Sequence, residues 1–458
     1  MAIFVRIERA SGISWVNLHR RDTSDLPSAS GDPIVTAPQR QPAAGAAFLV
    51  RLSRLLTARR ITQHALLLAV CLWSVYALDL ATPGLRDRAG HIKGADFLHF
   101  YTAGYLVKSG RLPALYDPPA LAAYQQALVP QSTHTYFVAS YGPQLYLPFS
   151  LLARLPYSWA VLVWALLNCA LYFGCCYAVW RCCPRLQPYA GAVSLLALAF
   201  PGFFILIAFG QTSGPALLLF TLAFLALRGR RNFLAGLAIG SLIYKPQLGL
   251  AAAVVFLLAA EWKIVAGALA AAAAQLSFAW GWFGSAVMKQ YFHSLLRTSQ
   301  ALPFIEPKLY QMHCLRGFWL LLLPWRNIAG ALYVLTAMAV LAATLLCWRS
   351  HASLPLRFTA LLVATVLVAP HLMIYDLIIL APAFLFLGDW ALERTKAATV
   401  SGLRVFLYFA YALPLLEPLA KVSHVQFSVL AFAVLFGWIR LATTEDRSRG
   451  YMASPAAI

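Results

Sequence analysis

Acidic side chains are scarce in this sequence: Asp and Glu together number 16 among 458 residues. Any carboxylate that works as a base or ligand must therefore come from a short roster. Asp96 lies in Lys93-Gly94-Ala95-Asp96-Phe97-Leu98-His99-Phe100-Tyr101. The aromatic neighbours can dock into a membrane interface, and a carboxylate half-buried among rings has a raised proton affinity, which suits a general base. Asp96 also reads as a helix-capping residue, because the FLHFYTAGYLV stretch after it can be a helix.

Other polar residues interrupt apolar sequence. Lys245 precedes Pro246 between two short apolar segments. A lysine at membrane depth is costly and implies anion binding, unless its stem snorkels to the interface. His371, beside Pro370, is either a hydrogen-bonded structural histidine or a partner for a phosphate or hydroxyl. Asp376 follows Tyr375 at a helix start and reads first as a cap, then as a site residue. Arg316, in the amphipathic stretch Leu315–Trp325, can pair with lipid phosphate in general or with one ligand. Gln211, in Phe209-Gly210-Gln211-Thr212, is a polar cap or a sugar contact. Tyr101, Tyr105, Tyr141 and Tyr146 read more as interface anchors than as sugar platforms.

Several chemistries lack their signatures. No P-loop, GxGxxG, HExxH or GxSxG pattern occurs in a suitable context. No Asp-x-Asp or Glu-x-Asp pair falls in an outer loop, so a metal-bound diphosphate donor is not supported, and no metal or other cofactor is expected. The Cys-Cys dipeptides Cys175-Cys176 and Cys182-Cys183 lack CxxC zinc spacing. Of the eight cysteines only Cys314 falls on the far side of the membrane, which rules out an intrachain disulfide there.

The elements that must position these residues are membrane helices. Hydrophobic residues make up 61% of the chain and charged ones 11%, too few charges to cover a water-soluble fold of this length. Runs such as Ile61–Leu80, Trp159–Trp180, Tyr189–Ala208 and Ile328–Trp348 are continuous and rich in Leu and Ala. They read as spanning helices and not as period-two barrel strands. The class is thus an all-α polytopic membrane protein. Further spans are expected near 212–228, 232–244, 246–260, 264–283, 357–370, 374–388, 402–415 and 424–440.

The net charge of +20 sits mostly at the ends of apolar runs, where it fixes topology instead of binding nucleic acid. Basic turns at Arg181–Arg185, Arg228–Arg231, Lys263, Arg349–Arg357, Arg394–Arg404 and Arg440–Arg449 share the side of the basic amino terminus. That pattern supports about twelve spans with both termini cytoplasmic. Residues 1–58 are expected to be a disordered basic tail, 59–442 the transmembrane domain and 443–458 a cytoplasmic tail. Outer connections are expected at 81–156 and 284–327. The segments 232–244, 246–260, 357–370 and 374–388 are short for a bilayer, and each pair meets at a polar break, Tyr244-Lys245-Pro246 and Pro370-His371 to Asp376. Polar breaks at membrane depth survive only around protein or a water-filled cavity. On this topology the acids available to the outer face are Asp79, Asp87, Asp96, Asp117, Glu306, Asp376 and Glu417.

These residues also carry a likeness. Asp96-Phe97-x-x-Phe100-Tyr101-x-Ala103-Gly104, Leu115-Tyr116-Asp117, Tyr141-Gly142-Pro143 and Leu147-Pro148 resemble the first outer loop of glycosyltransferase family 87. Gly210-Gln211, Ala235-Gly236 with Gly240, Lys245-Pro246, Leu315-Arg316-Gly317, Pro370-His371 and Tyr375-Asp376 follow in order. The segment Gln311-Met312-His313-Cys314 departs from the Asn-Gln-Ser pattern expected before Leu315. The resemblance, over roughly residues 60–440, implies a GT-C-type fold in a bacterial cytoplasmic (inner) membrane with an outward-facing site. It also implies a polyprenyl-phosphate sugar donor, mostly mannose, and a lipid or glycan acceptor, with Asp96 in the place of the family's catalytic Asp.

The mechanism then expected has Asp96 deprotonate an acceptor hydroxyl, which attacks the anomeric carbon with inversion. Lys245, His371 and Arg316 are the candidates for stabilising the departing phosphate, and Tyr101, Gln211, Tyr375 and Asp376 for contacting sugar or acceptor. A transporter or lipid flippase is the rival reading, and it expects charges spread through the membrane depth. A noncatalytic scaffold does not require Asp96, Lys245 and His371 to converge.

Overall fold

A computed structural model describes residues 44–132, 141–305, 308–394 and 398–452. Most of the expected amino-terminal tail, and Glu306, lie outside the described residues. Every regular element among the described residues is helical, with only the isolated bridges Arg86 to Ile92 and Met312 to Met373 beside them. A bilayer dictates this outcome, because a helix satisfies its own backbone hydrogen bonds where no water is present to do so. The chain is an all-α polytopic membrane protein.

Among the described residues seven helices are long and apolar enough to cross a membrane: Ala58–Leu80, Tyr157–Trp180, Trp262–Leu296, Arg326–Trp348, Ile374–Glu393, Val400–Ser423 and Phe427–Glu445. Pro184–Leu198 and Pro201–Phe209 form a pair bent by 45° that makes an eighth crossing if read as one span. Four shorter apolar helices, Ser213–Arg228, Asn232–Tyr244, Pro246–Leu258 and Leu354–Val368, accompany them. All of these fall on segments that the sequence marks as apolar. Length alone nevertheless supports fewer crossings than the expected twelve, because the short helices stop below the ~20 residues a bilayer core requires.

One sequence boundary shifts and another is marked by a break inside a helix. Residues Ala44–Leu55 form a helix where an irregular tail is expected. Its apolar Phe48, Leu49, Val50 and Leu52 alternate with Arg51 and Arg54, a pattern that stabilises a helix lying against apolar neighbours. The helix that begins at Trp262 runs to Ile305 but breaks at Gly284, whose φ of 79° and ψ of 166° no helix contains. Gly284 is where the second long connection is expected to begin.

The core has two large parts. One surrounds Leu354–Val368, of which Leu356 and every residue from Phe358 to Val368 are buried. The other lies in the segment between the first two long spans. There Ala95–Lys108 packs on Tyr146–Leu152 through Phe97, Phe100, Tyr146 and Phe149, with Trp164 of the second long span closing the cluster. Gly104 permits that approach, since a Cβ there would overlap the Phe149 carbonyl. Gly236 and Gly240 play the same part where Asn232–Gly240 crosses Trp262–Ile305: a Cβ at either would strike the backbone of Ile264 or Ala268.

Candidate active site

Asp96 occupies the first turn of Ala95–Lys108, one residue inside the helix. The cap position belongs to Gly94, in the left-handed conformation at φ 68°, and no side chain caps this helix. Asp96 reaches sideways instead. Its Oδ2 accepts a hydrogen bond of 2.7 Å from Gln211 Nε2, across 115 residues of sequence. The loop before Asp96 is pinned by Tyr157, whose hydroxyl donates to the carbonyls of Lys93 and Gly94 at 2.9 Å.

Gln211 is aimed by its own surroundings. Gly210 ends the helix Pro201–Phe209 with φ 70°, a left-handed turn that costs a residue with a Cβ about 1–2 kcal/mol. A Cβ at Gly210 would also run into the Cβ of Phe97, the neighbour of Asp96. This close approach brings the Gln211 amide to the carboxylate. Trp164 Nε1 donates to the Gly210 and Gln211 carbonyls at 3.0 and 3.2 Å, and Gln211 Oε1 accepts from the Thr212 amide at 3.1 Å.

Two residues further along, Ser213 opens the helix Ser213–Arg228 and links the cluster to the broken spans. Lys245 Nζ donates to Ser213 Oγ at 3.0 Å and to Asp376 Oδ1 at 2.5 Å, and the Ser213 hydroxyl donates to the same Asp376 oxygen at 2.5 Å. Asp376 Oδ2 accepts the Met373 amide at 3.3 Å. Asp376 thus caps the turn Ile374–Leu380 with one oxygen and binds a cation with the other. The Lys245 and Asp376 side chains are each 1% exposed. Lys245 does not snorkel, and its ammonium lies 5.2 Å from the Tyr375 ring centre. Tyr244 donates to the Thr212 carbonyl at 3.0 Å, tying the break to the Gln211 turn.

The remaining sequence candidates take different places. His371 is half-buried in the second break and close enough to Asp96 that its positive form would stabilise the carboxylate. Arg316 donates through Nη1 to the Pro370 carbonyl at 3.1 Å, holding the loop that carries His371. Tyr101 points away from the cluster: its hydroxyl donates to Leu155 O at 2.9 Å and its ring packs on Phe97 and Tyr157. Of the other acids, Asp79 pairs with Arg88 at 2.6 Å and Asp87 accepts the amides of Ala89 and His91 in a local turn. Asp117 stands at the cap of Pro118–Leu128.

Electrostatics favour proton transfer at Asp96. Burial pushes its carboxyl up to about 6, with a smaller upward push from the Asp376 charge. The Gln211 hydrogen bond and the charges of Lys245 and His371 oppose that rise. A base poised near neutrality combines ionisation at working pH with useful proton affinity. His99, one turn on, is pushed by burial down to about 4 and so is neutral there; its Nε2 meets the Tyr146 hydroxyl at 3.0 Å. Burial also raises the Tyr141 hydroxyl, which feels the charges of Lys245, Asp376 and Asp96.

Ser213 is the residue the sequence reading passes over, although its place in the polar run Gln211-Thr212-Ser213 amid apolar sequence marks it. A second missed group centres on His313, which is fully buried. Its ring joins Ser428 Oγ at 2.7 Å and Glu417 Oε1 at 3.1 Å, and its amide donates to the Leu372 carbonyl at 2.9 Å. The His313 segment and Arg316 together brace residues 370–373 of the second break. Among the described residues no group of three or more His, Cys, Asp and Glu side chains is arranged to hold a metal ion.

The model of glycosyltransferase family 87 matches residues 137–370, just over half of the chain. That stretch contains Gln211, Ser213, Lys245 and Arg316, and it ends at the second break; Asp96 and Asp376 flank it. Comparison with curated proteins and with solved structures gives no match.

Proposed function

The chain belongs to glycosyltransferase family 87, and from that premise we propose that it transfers a hexose from a polyprenyl-phosphate sugar, mannose in the first instance, to a hydroxyl of a lipid or glycan acceptor. The enzyme is a membrane glycosyltransferase of GT-C type, acting at the outer face of a bacterial cytoplasmic membrane. The observation that carries the reading is the half-buried Asp96 carboxyl, raised to about 6 and held by Gln211 beside the junction of the two broken spans.

Asp96 accepts the proton of the acceptor hydroxyl. The oxygen attacks the anomeric carbon from the face opposite the phosphate, the bond from that carbon to the phosphate oxygen breaks, and the configuration inverts. Polyprenyl phosphate leaves as a monoester whose developing charge requires donors already in place. Lys245 is neutralised one-to-one by Asp376 and is almost fully enclosed, so its part is to hold the site and tune Asp96. His371 and Arg316, in and beside the second break, are the groups assigned to the phosphate. Gln211 orients the base, and Tyr375 and Tyr141 line the approach to it.

The test uses membranes bearing the wild-type chain or Asp96→Asn, supplied with labelled polyprenyl-phosphate mannose and their native acceptor lipids. Transfer by wild type and a loss of about 10²-fold or more in Asp96→Asn is expected. Equal turnover by the two proteins at matched expression would remove Asp96 from the role of base. Transfer from other polyprenyl-phosphate sugars but not from mannose would replace the sugar and keep the mechanism.

A further inference from the structure

A separate cavity lies at the other end of the bundle from Asp96. Tyr157, at one end of Tyr157–Trp180, pins the Asp96 loop. The other end of that 24-residue helix, roughly 36 Å away, leads to Arg185 and Leu186, whose amides donate to Asp389 Oδ1 at 2.7 and 3.2 Å. Beside this far end a cavity of about 440 Å³ opens, lined by Leu186, Val193, Phe384, Leu407 and other almost wholly apolar residues. Its size falls in the range of about 300–1,000 Å³ usual for small-molecule sites.

Among the described residues Arg404 is the one charged residue lining it. The acids nearby in sequence are already used: Asp389 and Glu393 both pair with Arg185, at 3.5 and 3.0 Å. Arg404 donates to the Ala391 carbonyl at 2.7 Å and forms no ion pair among the described residues. A guanidinium beside an apolar cavity in a bilayer protein calls for an anion attached to something apolar. The rim reinforces that demand. Ala44–Leu55 packs along the Arg404 helix and presents exposed Arg51 and Arg54 together with exposed Phe48 and Leu55, the pattern of a helix lying at an anionic membrane surface. Exposed Arg59 and Arg60 follow, next to the lining residues Ala58 and Ile61.

We propose that this cavity holds an acyl chain of an anionic glycerophospholipid whose phosphate is bound by Arg404. It is a lipid site distinct from the Asp96 cluster and does not depend on the sugar donor. Arginine suits the role because its planar fork meets two phosphate oxygens at once.

Full-length protein would be equilibrated with micelles containing equal phosphatidylglycerol and phosphatidylcholine of identical acyl chains, and the retained lipid read by native mass spectrometry. Wild type is expected to retain one phosphatidylglycerol with about tenfold preference, the worth of one charge-assisted hydrogen bond. Arg404→Gln is expected to abolish that preference, and Ala192→Phe, which fills the cavity, to reduce retention of both lipids. Equal retention of the two lipids by wild type overturns the proposal without recourse to any variant. An unchanged preference in Arg404→Gln overturns it as well, as does a wild-type preference for polyprenyl phosphate over phosphatidylglycerol when an equal amount of polyprenyl phosphate is added to the micelles.

Discussion

Lys245 and Asp376, 131 residues apart in the sequence, meet at 2.5 Å where the interruptions of two helical segments face each other. Each residue interrupts its own segment: Lys245 stands between Tyr244 and Pro246, and Asp376 lies in the turn that leads into Ala381–Glu393. Neither charge is tolerable alone at this depth, since a buried ion without a partner costs several kcal/mol. Ser213 completes the compensation by bonding to both. The pair therefore fixes how the breaks sit against the Gln211 turn, and through Gln211 against Asp96.

Removing one charge should be worse than removing both. Lys245→Met strands the Asp376 carboxylate and is expected to cost about 3–5 kcal/mol. Adding Asp376→Asn to that variant should restore most of the loss, because the amide oxygen still accepts from Met373. Thermal unfolding of the detergent-solubilised proteins reads the comparison. A double variant as unstable as Lys245→Met alone would show that charge compensation is not what holds the breaks together.

The pH dependence of transfer should follow the Asp96 carboxyl. The base works ionised, so below its raised value of about 6 the log of kcat/KM should fall with unit slope, and above it the rate should level off. The Gln211 hydrogen bond holds the carboxyl down. Gln211→Leu should therefore move the limb to higher pH while leaving a plateau. A limb that stays in place in Gln211→Leu would assign the titration to another group.

Gly210 offers a steric test of the same contact. Gly210→Ala puts a methyl group against Phe97 at a left-handed φ and is expected to lower kcat by displacing Gln211 from Asp96, with a backbone cost of about 1–2 kcal/mol. Adding Phe97→Gly removes the Cβ that is struck but not the φ, so activity should return in part. No recovery at all in a folded double variant would mean that backbone strain alone accounts for the loss.

Much of this arrangement was legible in the sequence, for a physical reason. In a chain with so few charges, each polar interruption of an apolar run must be compensated, so Asp96, Gln211, Lys245, His371 and Asp376 announce themselves. What periodicity cannot supply is pairing. Nothing local indicates that Lys245 finds Asp376, or that Asp96 gives up the cap position to Gly94 in order to reach Gln211. Nor does composition say where Tyr101 turns: its ring packs on Phe97 and Tyr157 and its hydroxyl donates to the Leu155 carbonyl. Ser213 was overlooked because a serine opening a helix is ordinary until an ion pair is found beside it. The short helices were visible as apolar segments, but length alone does not say whether each crosses the bilayer.

His313 should influence catalysis without touching the reacting atoms. Its amide joins Leu372, while its ring is tied to Ser428 on Phe427–Met452 and to Glu417 at the start of Glu417–Ser423. The loop bearing His371 is thereby fastened to two other elements. His313→Ala removes both ring contacts and is expected to lower kcat roughly ten- to a hundredfold, since a small displacement of aligned groups is costly. The KM for donor should change much less. His313→Gln, which keeps one polar arm, should recover part of the rate, and Ser428→Ala should be milder than His313→Ala because the Glu417 contact survives. Steady-state kinetics on the three variants decides the matter: a wild-type kcat in folded His313→Ala would release the His371 loop from any dependence on this ring.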